Sequence, residues 1–119
     1  PKFIPGGNRS QFGNEDIENM KISATHVQGI FGVTLDDLCD KWGFPYPNYM
    51  KIDVDGIEIS ILSGAHTVLR HPALKSVIVE LGTIAEQEKA IDLMRSAGLE
   101  VKHRSTKNWG ETCLIFQRI

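Results

Sequence analysis

Apolar residues occupy both alternating faces of the stretch Tyr49–Val54, a pattern that predicts a strand buried between helical layers. From Ile57 onward the period lengthens to that of a helix, with Ile57, Ile61, Leu62, Ala65, Val68 and Leu69 on one face. At the junction stand Asp53, Asp55, Gly56 and Glu58. A strand that delivers carboxylates at its carboxyl end and turns at once into a helix marks the place where open α/β sheets hold ligands. Gly64 falls inside the predicted helix, where it costs about 1 kcal/mol against alanine, so a close packing contact is expected there.

The same patterning extends through the rest of the chain. Thr34 is placed to cap a helix whose first turn carries Asp36 and Asp37 and whose apolar face is Leu35, Leu38, Cys39 and Trp42. Gly43 ends it, and Pro45 and Pro47 forbid continuation. After the central strand and helix, His71-Pro72 is a stop, and Ser76–Leu81 reads as a second apolar strand carrying Glu80 near its end. Ala85–Ala97 has helical periodicity, with Ala90, Ile91, Leu93, Met94 and Ala97 inward, and Gly98 terminates it. Leu99–Arg104 and Thr112–Ile119 alternate as strands with no helix between them, so they should pair as an antiparallel hairpin. Residues 1–33 form an irregular or extended lead-in, in which Met20–Phe31 alternates roughly enough to suggest an extended segment. The two central strands should be parallel neighbours with helices on the sheet faces.

Composition narrows the class without naming a chemistry. With 119 residues, 41% of them hydrophobic and 24% charged, the chain suits one globular α/β domain. A formal net charge of -2 and the lack of a lysine and arginine cluster argue against a nucleic-acid partner. The apolar runs are too short for a membrane span, and no charged-then-apolar leader opens the sequence. Cys39 and Cys113 fall in different elements without CxxC spacing, and are expected to be reduced core thiols of a cytoplasmic protein.

Several chemistries are excluded for the carboxylate stretch. If Gly56 were the sixth residue of a calcium-binding loop, Lys51 would be first and Leu62 twelfth, and neither supplies the required ligand. Neither GxGxxG nor GxxxxGK[ST] occurs, so no phosphate-cradling loop is present. No metal ligand set is apparent, and Asp36-Asp37 reads as helix capping. His66 and His71 fall on or just after the central helix as surface residues, while His26 and His103 have no readable partner. For Asp55 and Glu58 a capping box is the structural alternative, with Gly56 in a tight turn and Lys51 paired to one carboxylate. Asp53 fits that alternative poorly. Flanked by Ile52 and Val54 at the strand end, it would cost several kcal/mol to bury unless satisfied, which singles it out as the residue to face a ligand.

The succession Thr34-Leu35-Asp36-Asp37-Leu38, Lys51-Ile52-Asp53-Val54-Asp55-Gly56-Ile57-Glu58, Leu62-Ser63-Gly64-Ala65 and Val77-Ile78-Val79-Glu80-Leu81 resembles the C-terminal half of an FkbM-type S-adenosylmethionine-dependent methyltransferase. The resemblance covers roughly Thr34 to Leu99. Asp55 stands where that family more often has glutamate. The resemblance implies a Rossmann-like class I methyltransferase sheet of order 3-2-1-4-5-7-6, of which residues 34–119 would supply strands 4-5-7-6. It also implies that the cofactor of the complete enzyme, S-adenosylmethionine, is held by upstream elements, so its binding residues in this chain are unknown. Asp53 would orient an acceptor hydroxyl or act as general base, with Lys51 or Glu58 fixing its position, and Asp55 and Glu80 would contact the acceptor, a small molecule or glycan. The competing expectation is a non-catalytic α/β interaction module. In either case Tyr49–Val54 would lie at a sheet edge, to be covered by Met20–Phe31, by a second copy in a homo-oligomer, or by a partner chain.

Overall fold

The computed structural model describes residues 28–119. Its elements are α1 (Leu35–Asp40), β1 (Tyr49–Ile52), α2 (Glu58–Ser63), α3 (His66–Arg70), β2 (Ser76–Leu81), α4 (Ile84–Ser96), β3 (Leu99–Thr106) and β4 (Thr112–Arg118). The strands form one mixed sheet of order β1-β2-β4-β3. β1 and β2 are parallel, with Ile52 opposite Val79, and β4 runs antiparallel to both β2 and β3. The expected α/β class, the parallel central pair and the terminal hairpin are therefore present.

The core follows the alternation of β2 and β4. Val77, Val79 and Leu81 pair laterally with Phe116, Leu114 and Thr112, and all six are buried on one face. Fully burying a side chain such as Phe116 stabilises by roughly 1.5–3 kcal/mol. Against this core pack Leu62, Val68, Leu69, Ala90 and Met94 from the helices. The opposite face of the same two strands, with Ile78, Glu80, Cys113 and Ile115, is only half-buried.

Among the described residues β1 is the edge of the four-stranded sheet, the position expected for Tyr49–Val54, but it is not buried on both faces as its apolar pattern suggests. Tyr49 is 72% exposed and Val54 37%, and Ile52 alone of the stretch is buried. Apolar composition makes a strand suitable for a central position, but a neighbouring strand is needed to bury it, and among the described residues β1 has one only on the β2 side. Of the expected lead-in, residues 1–27 lie outside the described residues. Gln28 to Val33 are irregular and exposed.

The single helix expected after Ile57 is two. α2 ends at Ser63, where the Gly64 N–H bonds to Ser60 O and the Ala65 N–H bonds to Leu62 O, tightening the last turn. The chain then restarts as α3. Asp36 explains the break. Its backbone N–H donates to Gly64 O at 3.1 Å, and its carboxylate accepts from the N–H groups of Thr67 (2.9 Å) and Val68 (2.9 Å). Asp36 thus caps α3, 31 residues away, rather than its own helix, which Thr34 caps by accepting from the Asp37 N–H at 3.1 Å. Gly64 has the close contact expected of it, because a Cβ there would stand 3.1 Å from Thr34 Cγ2. The apolar face survives the break, with Leu62, Ala65, Val68 and Leu69 all buried.

Three smaller differences have equally local causes. Trp42 does not join the inner face of α1; it is 58% exposed and meets Phe31 edge to face at 5.6 Å. α4 begins one residue early because Thr83 and Glu86 form a capping box that sequence inspection passed over. His71 is half-buried instead of free on the surface, stacked on Tyr46 at 3.7 Å with Nδ1 accepting from the Ala73 N–H. Cys39 is buried, Cys113 half-buried, and both are free thiols.

Candidate functional site

The carboxyl ends of β1 and β2 lie side by side, because Ile52 pairs with Val79 and the next residue of each strand carries a carboxylate, Asp53 and Glu80. Asp53 is not the buried group that its apolar neighbours suggested. Its side chain is 50% exposed and pairs with Lys51 Nζ at 3.2 Å. The strand ends before Asp53, and at a sheet edge the carboxylate turns to water. Solvation therefore removes the desolvation cost that had singled it out.

Glu80 is the more enclosed of the two. Its Oε2 accepts from Lys107 Nζ at 2.8 Å, and Lys107 also stands 3.9 Å from Glu111. The hydrogen bond that Lys107 donates to Glu80, with smaller contributions from Glu111 and Asp53, raises the Lys107 pKa above its ordinary value near 10.5. Lys107 comes from the loop of the β3–β4 hairpin, which closes through Lys107 N–H to Glu111 O (2.7 Å) and Gly110 N–H to Lys107 O (3.0 Å), with Gly110 at φ 96°. The hairpin thereby brings Lys107, Trp109 and Glu111 to the strand ends.

Glu58 is the buried carboxylate of the stretch, at 5% exposure. Burial raises its pKa above the ordinary 4.5, opposed by backbone hydrogen bonds and reinforced by Glu86 and Asp55. Its Oε1 accepts from the Gly56 N–H at 3.4 Å, and Gly56 takes φ 105°, a conformation that glycine adopts without strain. The expected capping box does not form. Ile57 occupies the N-cap position without a side-chain hydrogen bond, and Asp55 is exposed.

The structure therefore brings Lys51, Asp53 and Glu80 to one end of the sheet, with Asp55 exposed on the connecting turn. Glu58 faces Gly56, Asp55 and Glu86, so the partner that positions Asp53 is Lys51. Lys107, Trp109 and Glu111 were missed by sequence inspection. Their elements are separated from Glu80 by the whole of α4 and β3, and no periodicity marks a loop. Beside β1 runs an open groove walled by Leu35, Tyr49, Met50, Ile52, Val54 and Ile61, with Lys51 and Asp53 on its rim. These side chains do not by themselves fit S-adenosylmethionine, since the groove has no glycine-rich turn to approach the cofactor closely. No group of three or more histidine, cysteine or carboxylate side chains suited to a metal ion occurs among the described residues. None of their helices is long and apolar enough to cross a membrane.

No family model matches the chain, and neither a curated protein nor a solved structure matches it.

Proposed function

We propose that the chain is the acceptor-side half of an FkbM-like, S-adenosylmethionine-dependent methyltransferase acting in the cytoplasm on a hydroxyl group. The observation that carries this reading is the sheet order β1-β2-β4-β3 with its antiparallel final pair. This order is the one that the 4-5-7-6 half implied by the sequence resemblance would have, and in a complete enzyme the end of β1 that carries Asp53 would adjoin the half that holds the cofactor. In a complete enzyme the other half would hold the cofactor, which would supply the methyl group.

The steps that belong to this chain concern the acceptor. Asp53 accepts a hydrogen bond from the acceptor hydroxyl and takes its proton as the oxygen becomes a nucleophile. Lys51 orients Asp53 between turnovers through their 3.2 Å ion pair. Glu80, fixed by Lys107, offers a second acceptor for a neighbouring hydroxyl, and Asp55 borders the entrance. Much of the rate enhancement for a displacement of this kind comes from alignment, so two fixed hydrogen-bond acceptors side by side are a useful arrangement.

The test is transfer of labelled methyl from S-adenosylmethionine by this chain joined to the cofactor-binding half. Asp53→Ala is expected to lower turnover by about 10²–10⁴-fold with an unchanged melting temperature. Unchanged turnover removes Asp53 from the mechanism. No transfer by the joined protein to any hydroxyl acceptor overturns the enzyme reading in favour of an interaction module.

A further inference from the structure

Trp109 is an unusual occupant of a hairpin tip. It is 71% exposed, yet its indole is hydrogen-bonded within the hairpin loop. The indole N–H donates to Glu111 Oε2 at 2.7 Å, and Lys107 Nζ lies 5.2 Å from the ring centroid while holding Glu80. A large aromatic plane is thus joined through Lys107 to Glu80, the neighbour of Asp53 across β1 and β2, with most of its surface open to water.

We propose that this platform binds a pyranose ring, Trp109 stacking on its C–H face while Glu80 and Asp53 accept hydrogen bonds from its hydroxyls. The class of ligand follows from the charges. Asp53, Asp55, Glu80 and Glu111 outnumber Lys51 and Lys107, so phosphorylated or otherwise anionic ligands are repelled. Asp53 and Glu80 are each already paired with a lysine, which removes the incentive to bind a cation. A paired carboxylate still has free lone pairs, and these accept well from neutral hydroxyls. The electron-rich indole face attracts the weakly positive C–H bonds of a sugar ring. A neutral polyol with one apolar face satisfies both halves of the surface. The proposal rests on the methyltransferase reading only in making this sugar the methyl acceptor; binding itself needs no cofactor.

The experiment is a titration of the ¹⁵N-labelled chain with methyl α-D-glucopyranoside, methyl β-D-galactopyranoside and methyl α-D-mannopyranoside, without S-adenosylmethionine. The two tryptophans, Trp42 and Trp109, give separate indole N–H signals, and Trp42 is the internal control. At least one sugar is expected to shift the Trp109 signal saturably, with a dissociation constant on the order of 1–10 mM, and to leave Trp42 in place. Saturation transfer from protein to that sugar should vanish in Trp109→Ala and persist in part in Trp109→Phe, the backbone spectra of both variants reporting that they fold. No saturable shift with any of the three sugars, equal shifts of both indoles, or undiminished transfer in Trp109→Ala each overturn the proposal. Such failure leaves methyl transfer to another hydroxyl standing, whereas sugar binding without transfer in the joined protein overturns the enzyme reading alone.

Discussion

The two ends of the sheet use charge in opposite ways. At the amino end of β2, Arg118 is half-buried and donates to four backbone carbonyls: Leu74 O (3.0 Å), Ala97 O (2.6 Å), Leu69 O (2.7 Å) and His71 O (3.0 Å). Two of these close the C-terminal turn of α3, and Ala97 O lies at the end of α4, where helix dipoles favour a cation. Asp36 holds the other end of α3, so this five-residue helix is clamped by a carboxylate at its N-terminus and a guanidinium at its C-terminus. A helix that short does not persist unaided in water. At the carboxyl end, by contrast, Lys51 and Asp53 pair largely in solvent, where such a pair adds little to stability. Charge at one end builds the fold; at the other the Lys51–Asp53 pair stays in water.

The contrast is tested most severely at Arg118. Replacing it by Ala leaves several inward carbonyls without donors, and a loss of about 3 kcal/mol is expected in urea unfolding. A loss below about 1 kcal/mol would mean that water replaces the guanidinium and that the clamp is dispensable. Asp36→Ala removes the cap of α3 alone and should cost about 1–2 kcal/mol, with amide exchange at Thr67 and Val68 accelerating more than at β2.

Glu58 sharpens the boundary between the two uses of charge through pH. Because burial raises its native pKa, the folded protein holds the Glu58 proton more tightly than the unfolded chain does. Its contribution to stability therefore falls as pH rises from 4.5 through the raised native value, and the penalty is complete above it. Glu58→Gln, which keeps an acceptor for the Gly56 N–H, should be at least as stable as the parent at pH 7. That relative advantage should shrink below pH 4.5. A variant clearly less stable than the parent at pH 7 would show that the carboxylate charge is needed there. The smallest effect is expected at Asp53→Asn, within about 0.5 kcal/mol in stability, as suits a half-exposed group paired in solvent. A larger loss would place Asp53 among the structural charges.

What could be read directly from the chain were features written in neighbouring residues. The strand β2, the capped start of α1 at Thr34, the left-handed Gly43 and Gly98, and the terminal hairpin each depend on a period or a turn within a few positions. The tight contact at Gly64 was legible too, since a glycine in an apolar helical pattern needs a packing reason, and Thr34 is that reason. The acidic stretch could be located for the same cause, although its inner and outer carboxylates were exchanged: Glu58 is buried and Asp53 is in water.

Tertiary structure alone decided the rest. The break between α2 and α3 is made by Asp36 from another helix, and Lys107 reaches Glu80 from 27 positions away. Arg118 finds its four carbonyls across 21 to 49 positions. Local propensity is a property of adjacent residues and can be read in order. Desolvation, ion pairing and the capping of one element by another depend on which surfaces meet after the chain has folded.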